Sequence, residues 1–235
     1  TGTKLRDMLD AIEKILAALE ADGKRRYVWI DIFCASQNLL QGVIKDPAMS
    51  SAEVGIEDAI STVGELLFYM EPLAGEWAAP PHPFLLAEQG EPAAGWMRRG
   101  PAALTRAWCI FELAKSLSKG CTLHVLLSET SVAHFERKMR NDPRGFLWIG
   151  KILGRVNVKQ AQITKVEDRA YILGEVGQLP GGLGAINSRV MAALGGWVVG
   201  EAQAMLAALP EAERGASCLL ANVACMLTSQ GRLAE

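Results

Sequence analysis

Three short runs in this chain are apolar on both faces: Tyr27-Val28-Trp29-Ile30-Asp31-Ile32-Phe33-Cys34, Leu66-Leu67-Phe68-Tyr69-Met70 and Thr122-Leu123-His124-Val125-Leu126-Leu127. A half-exposed strand alternates apolar and polar residues, so these continuous runs read as strands buried between helix layers in a parallel sheet. Parallel strands need crossover helices, and the intervening segments offer them. Residues 4–21 set Leu5, Met8, Leu9, Ile12, Ile15, Leu16 and Leu19 at helical spacing until Gly23 ends the pattern. Val54, Ile56, Ala59, Ile60 and Val63 suggest a helix before the second strand, and 104–117 a helix before the third. A short helix around 131–140, an edge strand over Val156–Ala161 and a helix from Val166 to Val176 follow. The expected fold is therefore α/β: a doubly wound, mainly parallel sheet.

From about Gly182 the strand signal stops. Residues 183–208 read as one long helix, Pro210 punctuates, and 211–229 read as another, giving a C-terminal all-helical extension. The expected organisation is an α/β domain over 1–176, a linker helix over 177–210 and a helical unit over 211–235. Residues 72–103 hold six of the ten prolines together with Gly75, Gly90, Gly95 and Gly100, and read as an irregular insertion. Trp77 and Trp96 inside it either pin the loop to the body or lid a pocket.

Half of the residues are hydrophobic, so 235 residues can build a substantial core without staples. With 24 basic and 26 acidic residues there is no net field to draw in nucleic acid or an anionic membrane. No apolar run approaches the roughly 20 residues that span a bilayer. Cys34, Cys109, Cys121, Cys218 and Cys225 are odd in number and form no Cys-x-x-Cys pair, the usage of a reducing compartment, and a cytoplasmic protein is expected. His82, His124 and His134 lie too far apart for a zinc spacing, so no metal is expected. His124, inside the third strand, reads most simply as a satisfied core histidine.

The helix over 104–117 carries the most chemistry. Ala107, Ile110, Phe111, Ala114 and Leu117 make one apolar face, with Thr105, Trp108, Glu112 and Lys115 or Ser116 on the adjacent one. Glu112 stands one turn after Trp108, a carboxylate beside an indole, which suits a catalytic acid next to an aromatic platform. The alternative is an exposed Glu paired with Lys115 or Lys119. Asp31 falls near the carboxyl end of a buried strand, where open α/β sheets build their sites, or else caps the next turn.

Two of these segments resemble a known family. Trp108-Cys109-Ile110-Phe111-Glu112-Leu113 on a helix before a buried strand is similar to the Trp-Cys-x-x-Glu-Leu core of plant Toll/interleukin-1 receptor (TIR) domains. Trp29-Ile30-Asp31-Ile32-Phe33-Cys34-Ala35-Ser36-Gln37 resembles the Trp-Ile-Asp-x-x-Cys-x-x-Gln stretch of TIR-related domains, including fungal heterokaryon-incompatibility domains. The resemblance implies a TIR or flavodoxin-like sheet lacking the family's first strand, with the 72–103 insertion as a second departure. The tail from Leu219 to Glu235 is similar to the first half of a kinesin-light-chain-type tetratricopeptide repeat, and leads us to expect further repeats after it. Cys218, Ala221, Cys225 and Met226 would then form a stripe left partly uncovered. A generic helix with a glycine cap is the alternative.

Two functions follow from the resemblance. The first is a signalling adaptor, with homotypic TIR-like assembly and protein partners held by the helical repeats. The second is an NAD glycohydrolase cleaving the nicotinamide-ribose bond, with Glu112 stabilising the oxocarbenium-like transition state and Trp108, Asp31, Cys34 and Gln37 as candidate substrate-binding residues. NAD is then a substrate, and no cofactor is expected. A cysteine hydrolase built on Cys34 or Cys109 lacks a His and Asp arrangement.

Overall fold

The computed structural model describes residues 2–28, 60, 62–71, 101–154, 156–163 and 166–232. Among them the order is α1 (Gly2–Leu19), a 3-10 turn (Glu20–Asp22), β1 (Glu65–Tyr69), α2 (Ala102–Thr105), α3 (Ala107–Ser118) and β2 (Thr122–Leu126). Then come α4 (Glu129–Asn141), α5 (Gly145–Leu153), α6 (Val166–Gln178), α7 (Gly182–Ala207), α8 (Glu211–Arg214) and α9 (Cys218–Ser229).

The two strands pair in parallel, Glu65 opposite Thr122 through Tyr69 opposite Leu126. Hydrogen bonds from Thr122 N to Gly64 O and from Met70 N to Leu126 O, each 2.9 Å, extend the ladder at both ends. Helix α3 lies in the crossover between the strands and packs on both. Gly120, at φ 76°, turns the chain from α3 into β2 in the left-handed region that a side chain disfavours.

Among the described residues the doubly wound sheet is not formed. Among the described residues the sheet has only two strands, and helices supply most of the core. The expected edge strand over Val156–Ala161 is replaced by turns, with a single parallel bridge between Arg106 and Gln162. Side chains satisfy that backbone instead of a neighbouring strand. Asn187 accepts the Val158 N–H at 3.1 Å, and the Arg169 guanidinium donates to Lys159 O at 2.9 Å and Ala161 O at 3.1 Å. Of the expected strand over 27–33, Tyr27 and Val28 are not in a strand, and 29–33 lie outside the described residues.

The C-terminal helices join the same core as the sheet. Helix α7, expected as a linker, buries Ile186, Val190, Leu194, Val198, Val199, Ala202 and Met205 against neighbours that include α3, α5, α6 and α9. By length and composition α7 is apolar enough to cross a membrane, a property that the reading of apolar runs missed because glycine, serine and glutamate interrupt it. The expected helix over 211–229 is broken at Gly215 into α8 and α9. Helix α5 had no counterpart in the sequence reading; Ile149, Ile152 and Leu153 bury one side of it.

Candidate functional site

The helix of interest is two helices. Arg106 is extended, at φ −101° and ψ 129°, and its neighbours bond to Gln162: Gln162 N donates to Thr105 O at 2.7 Å and Ala107 N to Gln162 O at 2.8 Å. Past this break Ala107, Ile110, Phe111 and Ala114 are buried as the spacing requires, with Leu113 beside them.

Glu112 and Trp108 part company. The Trp108 indole packs on Phe111 edge-on, with ring centres 5.6 Å apart, and on Tyr171 of α6 at 6.1 Å. Glu112 instead lines a cavity of about 330 Å³ between α1, the sheet and α3. Ser116, one turn on, lines the same wall. Lys115 pairs with Glu175 of α6 at 2.8 Å.

Among the described residues most of the cavity wall is aliphatic: Met8, Ile12, Leu16 and Leu19 from α1, Leu66 and Leu67 from β1, Leu126 from β2, with Val28, Ile60 and Val63. The apolar stripe of α1 is thus only half-buried, and Ala11 is its one buried residue among those described. Tyr69 adds a phenol whose pKa is pushed up to about 12, first by burial and then by the charges of Glu71 and Asp7.

Arg26 and Glu65 add charge to the wall. Glu65 Oε1 lies 3.3 Å from Arg26 Nη1, and Asp22 Oδ2 lies 3.0 Å from Arg26 Nη2. The other Glu65 oxygen is 3.3 Å from His124 Nε2, but without the alignment of a hydrogen bond. His124 is therefore not the satisfied core histidine of the sequence reading. Its Nε2 and the Arg26 Nε are buried atoms without a hydrogen-bond partner.

At the carboxyl ends of the strands, where a sheet-based site is expected, the described residues make a helix cap. Ser128 caps α4, its Oγ accepting the Ser131 N–H at 3.2 Å. Glu71 follows β1 and accepts the Ser128 N–H at 2.6 Å and the Ser131 hydroxyl at 2.7 Å. Both carboxylate oxygens thus tie β1 to α4.

Of the residues singled out from the sequence, Asp31, Cys34 and Gln37 lie outside the described residues, as do Trp77 and Trp96. Ser116 shares the Glu112 wall as one of the two residues expected on that face, whereas Arg26, Glu65 and Tyr69 are wall residues that the sequence pattern did not single out. Arg26 follows a helix stop and Glu65 precedes an apolar run, positions that by themselves signal only element ends. Among the described residues no cluster of three His, Cys, Asp or Glu side chains is set to hold a metal, and the described cysteines are free. Compared with family models, with curated proteins and with solved structures, the chain finds no match.

Proposed function

We propose that this chain is a signalling adaptor that engages protein partners through its C-terminal helical end. The observation that carries this reading is the two-sidedness of α9. One side buries Leu219, Asn222, Val223, Met226 and Leu227. The other exposes Leu220, Ala221, Ala224 and Cys225, a face with no charged residue. A helix that keeps small apolar side chains in water on one face is shaped for close approach by a second helix. The tail's resemblance to a tetratricopeptide repeat supports the same reading, because such repeats cover this kind of face with a neighbouring helix. Free cysteines suit a cytoplasmic setting.

The test is selection of binding segments from a displayed helix library on the intact chain, repeated with an Ala221→Glu/Cys225→Glu variant of unchanged melting behaviour. Segments that bind the parent and lose at least about tenfold in affinity for the variant support the adaptor. A library that yields none, or segments indifferent to the variant, overturns it.

A second reading, NAD glycohydrolysis, is favoured by one observation: Glu112 stands in a cavity wall. It lacks the expected aromatic platform, since Trp108 is not among the lining residues. NAD consumption by the parent that disappears in Glu112→Ala supports it, and consumption that persists in Glu112→Ala removes it.

A further inference from the structure

We infer that the solvent-facing side of the α4–α5 hairpin docks an acidic segment of a partner protein, one that brings carboxylates about one heptad apart with an apolar side chain between them. None of the residues on this side belongs to the exposed face of α9.

Two contacts define the surface. The His134 imidazole of α4 packs on the Trp148 indole of α5, ring centres 5.2 Å apart, so the two residues mark one shared face. Arg137, one turn after His134, lies on that face as well: its Nη2 donates to His134 Nδ1 at 2.9 Å, since a guanidinium carries no acceptor. This bond holds the Arg137 side chain in place before any partner arrives, which lowers the ordering cost of docking. On α5, Arg144 stands one turn before Trp148 and Lys151 one turn after it, on the same side of the helix and roughly 10 Å apart along its axis.

The charge of this face is not cancelled. Arg137, Arg144 and Lys151 are exposed, and among the described residues none of them pairs with a carboxylate. The acidic side chains of the hairpin are committed or turned away. Asp142 takes Lys138 Nζ at 3.3 Å on one oxygen and the Arg144 N–H at 2.9 Å on the other. Glu129 pairs with Lys14, and Glu136, two residues from His134, projects from the opposite side of α4.

Between the charges the surface is apolar. Leu147 is 47% exposed and Trp148 half-buried, and both lie between Arg144 and Lys151. Cations flanking an indole and an isobutyl group complement a segment in which carboxylates flank a leucine or phenylalanine. Extent decides which anion fits. A nucleic acid or an anionic bilayer reaches past three cations and meets a chain whose net charge is -2, whereas a short segment ends where the patch ends.

The experiment presents the intact chain with two displayed helix libraries, one with glutamate fixed at two positions a heptad apart and one with glutamine there, the positions between them varied. The glutamate library is expected to enrich over its glutamine twin, and a synthetic peptide of its leading clone to bind one-to-one by calorimetry. Raising salt from ~0.05 M to ~0.5 M is expected to weaken that peptide at least about tenfold. Arg144→Glu/Lys151→Glu is expected to weaken it at least about tenfold, and the same peptide with lysine for both glutamates to regain binding to that variant. Lys151→Gln leaves the start of α5 untouched, serves where the double variant fails to fold, and is expected to weaken the peptide measurably. Ala221→Glu/Cys225→Glu is expected to leave the affinity unchanged, which separates this surface from the adaptor face on α9. No enrichment of the glutamate library, a peptide indifferent to the folded charge variants, equal loss in Ala221→Glu/Cys225→Glu, or tighter binding of phosphatidylserine vesicles or a single-stranded oligonucleotide than of the peptide would each overturn the assignment.

Discussion

Asn222 Oδ1 on α9 accepts the backbone N–H of Phe146, at the start of α5, at 3.1 Å. The same side chain, fully buried, donates to Met139 O at 2.9 Å and Asp142 O at 2.8 Å, the carbonyls where α4 ends. One amide thus satisfies backbone groups on both sides of a helix-helix turn, whose helices leave such groups unpaired. Asn222→Ala is expected to lower unfolding free energy by ~2–4 kcal/mol, since it strands buried backbone groups as well as losing the bonds. Urea denaturation measures it, and a cost below ~1 kcal/mol would show that water replaces the amide.

Gly145 adjoins that amide. A Cβ there would stand 2.7 Å from Lys138 O and 3.0 Å from Asn222 Nδ2, and the first contact is with backbone that has little room to yield. Gly145→Ala is expected to cost ~1–3 kcal/mol despite the better helix propensity of alanine. In Asn222→Ala the second contact is gone, so the two substitutions should combine to less than their sum, which a double-mutant cycle reads.

Lys115 is nearly buried, its Nζ 2.8 Å from Glu175 Oε2 and 5.5 Å from the centre of the Phe111 ring. Glu175→Ala removes this carboxylate and is expected to destabilise by ~1–3 kcal/mol, below the full cost of breaking a buried pair because Glu175 is partly exposed and Lys115 keeps a further interaction. Lys115→Met with Glu175→Ala is expected to recover most of that loss. Equal instability of the single and the double variant would show that the charge left behind is not the cause.

His134 should make the fold acid-sensitive. Its imidazole packs at 5.2 Å on the Trp148 ring, and its pKa lies below the usual 6.5, first through burial and then through the positive charges of Arg137 and Lys138. The unfolded chain then binds the proton more readily than the folded one. This contribution is intact above about 6.5 and is lost as pH falls from there through the folded pKa. Denaturation midpoints are expected to drop between about pH 7 and about pH 5, less steeply in His134→Gln. Identical slopes for the two proteins would contradict this assignment.

Tyr69 behaves in the opposite sense. With its folded pKa raised from 10.0 to about 12, the neutral phenol stabilises the fold below 10.0, and this stability is lost as pH rises through the folded value. Phenolate absorbance in the native protein should show one tyrosine ionising late, and Tyr69→Phe should remove that step.

Some of this was settled by the sequence alone. Leu66–Met70 and Thr122–Leu127 become the parallel pair β1 and β2 that their apolarity predicts, but only Phe68, Met70 and Leu126 are buried; the others are part-buried and Thr122 is exposed. Ile110, Phe111 and Ala114 likewise take the core face that their spacing demands. Position on a helix leaves two neighbouring side chains free to diverge, so only packing against Tyr171 could draw Trp108 away from the cavity that Glu112 lines. The contents of the sheet also depended on distant partners. Val156–Ala161 has strand-forming residues, but Asn187 and Arg169, far along or on another helix, satisfy its backbone first. On α9 almost every residue is small or apolar, so periodicity could not say which face would be buried. The expected stripe of Cys218, Ala221, Cys225 and Met226 splits: Met226 is buried, Cys218 half-buried, Ala221 and Cys225 exposed. The choice fell to Asn222, whose amide is the one side chain on that helix able to satisfy the backbone of the α4–α5 turn, and the helix rotates to deliver it.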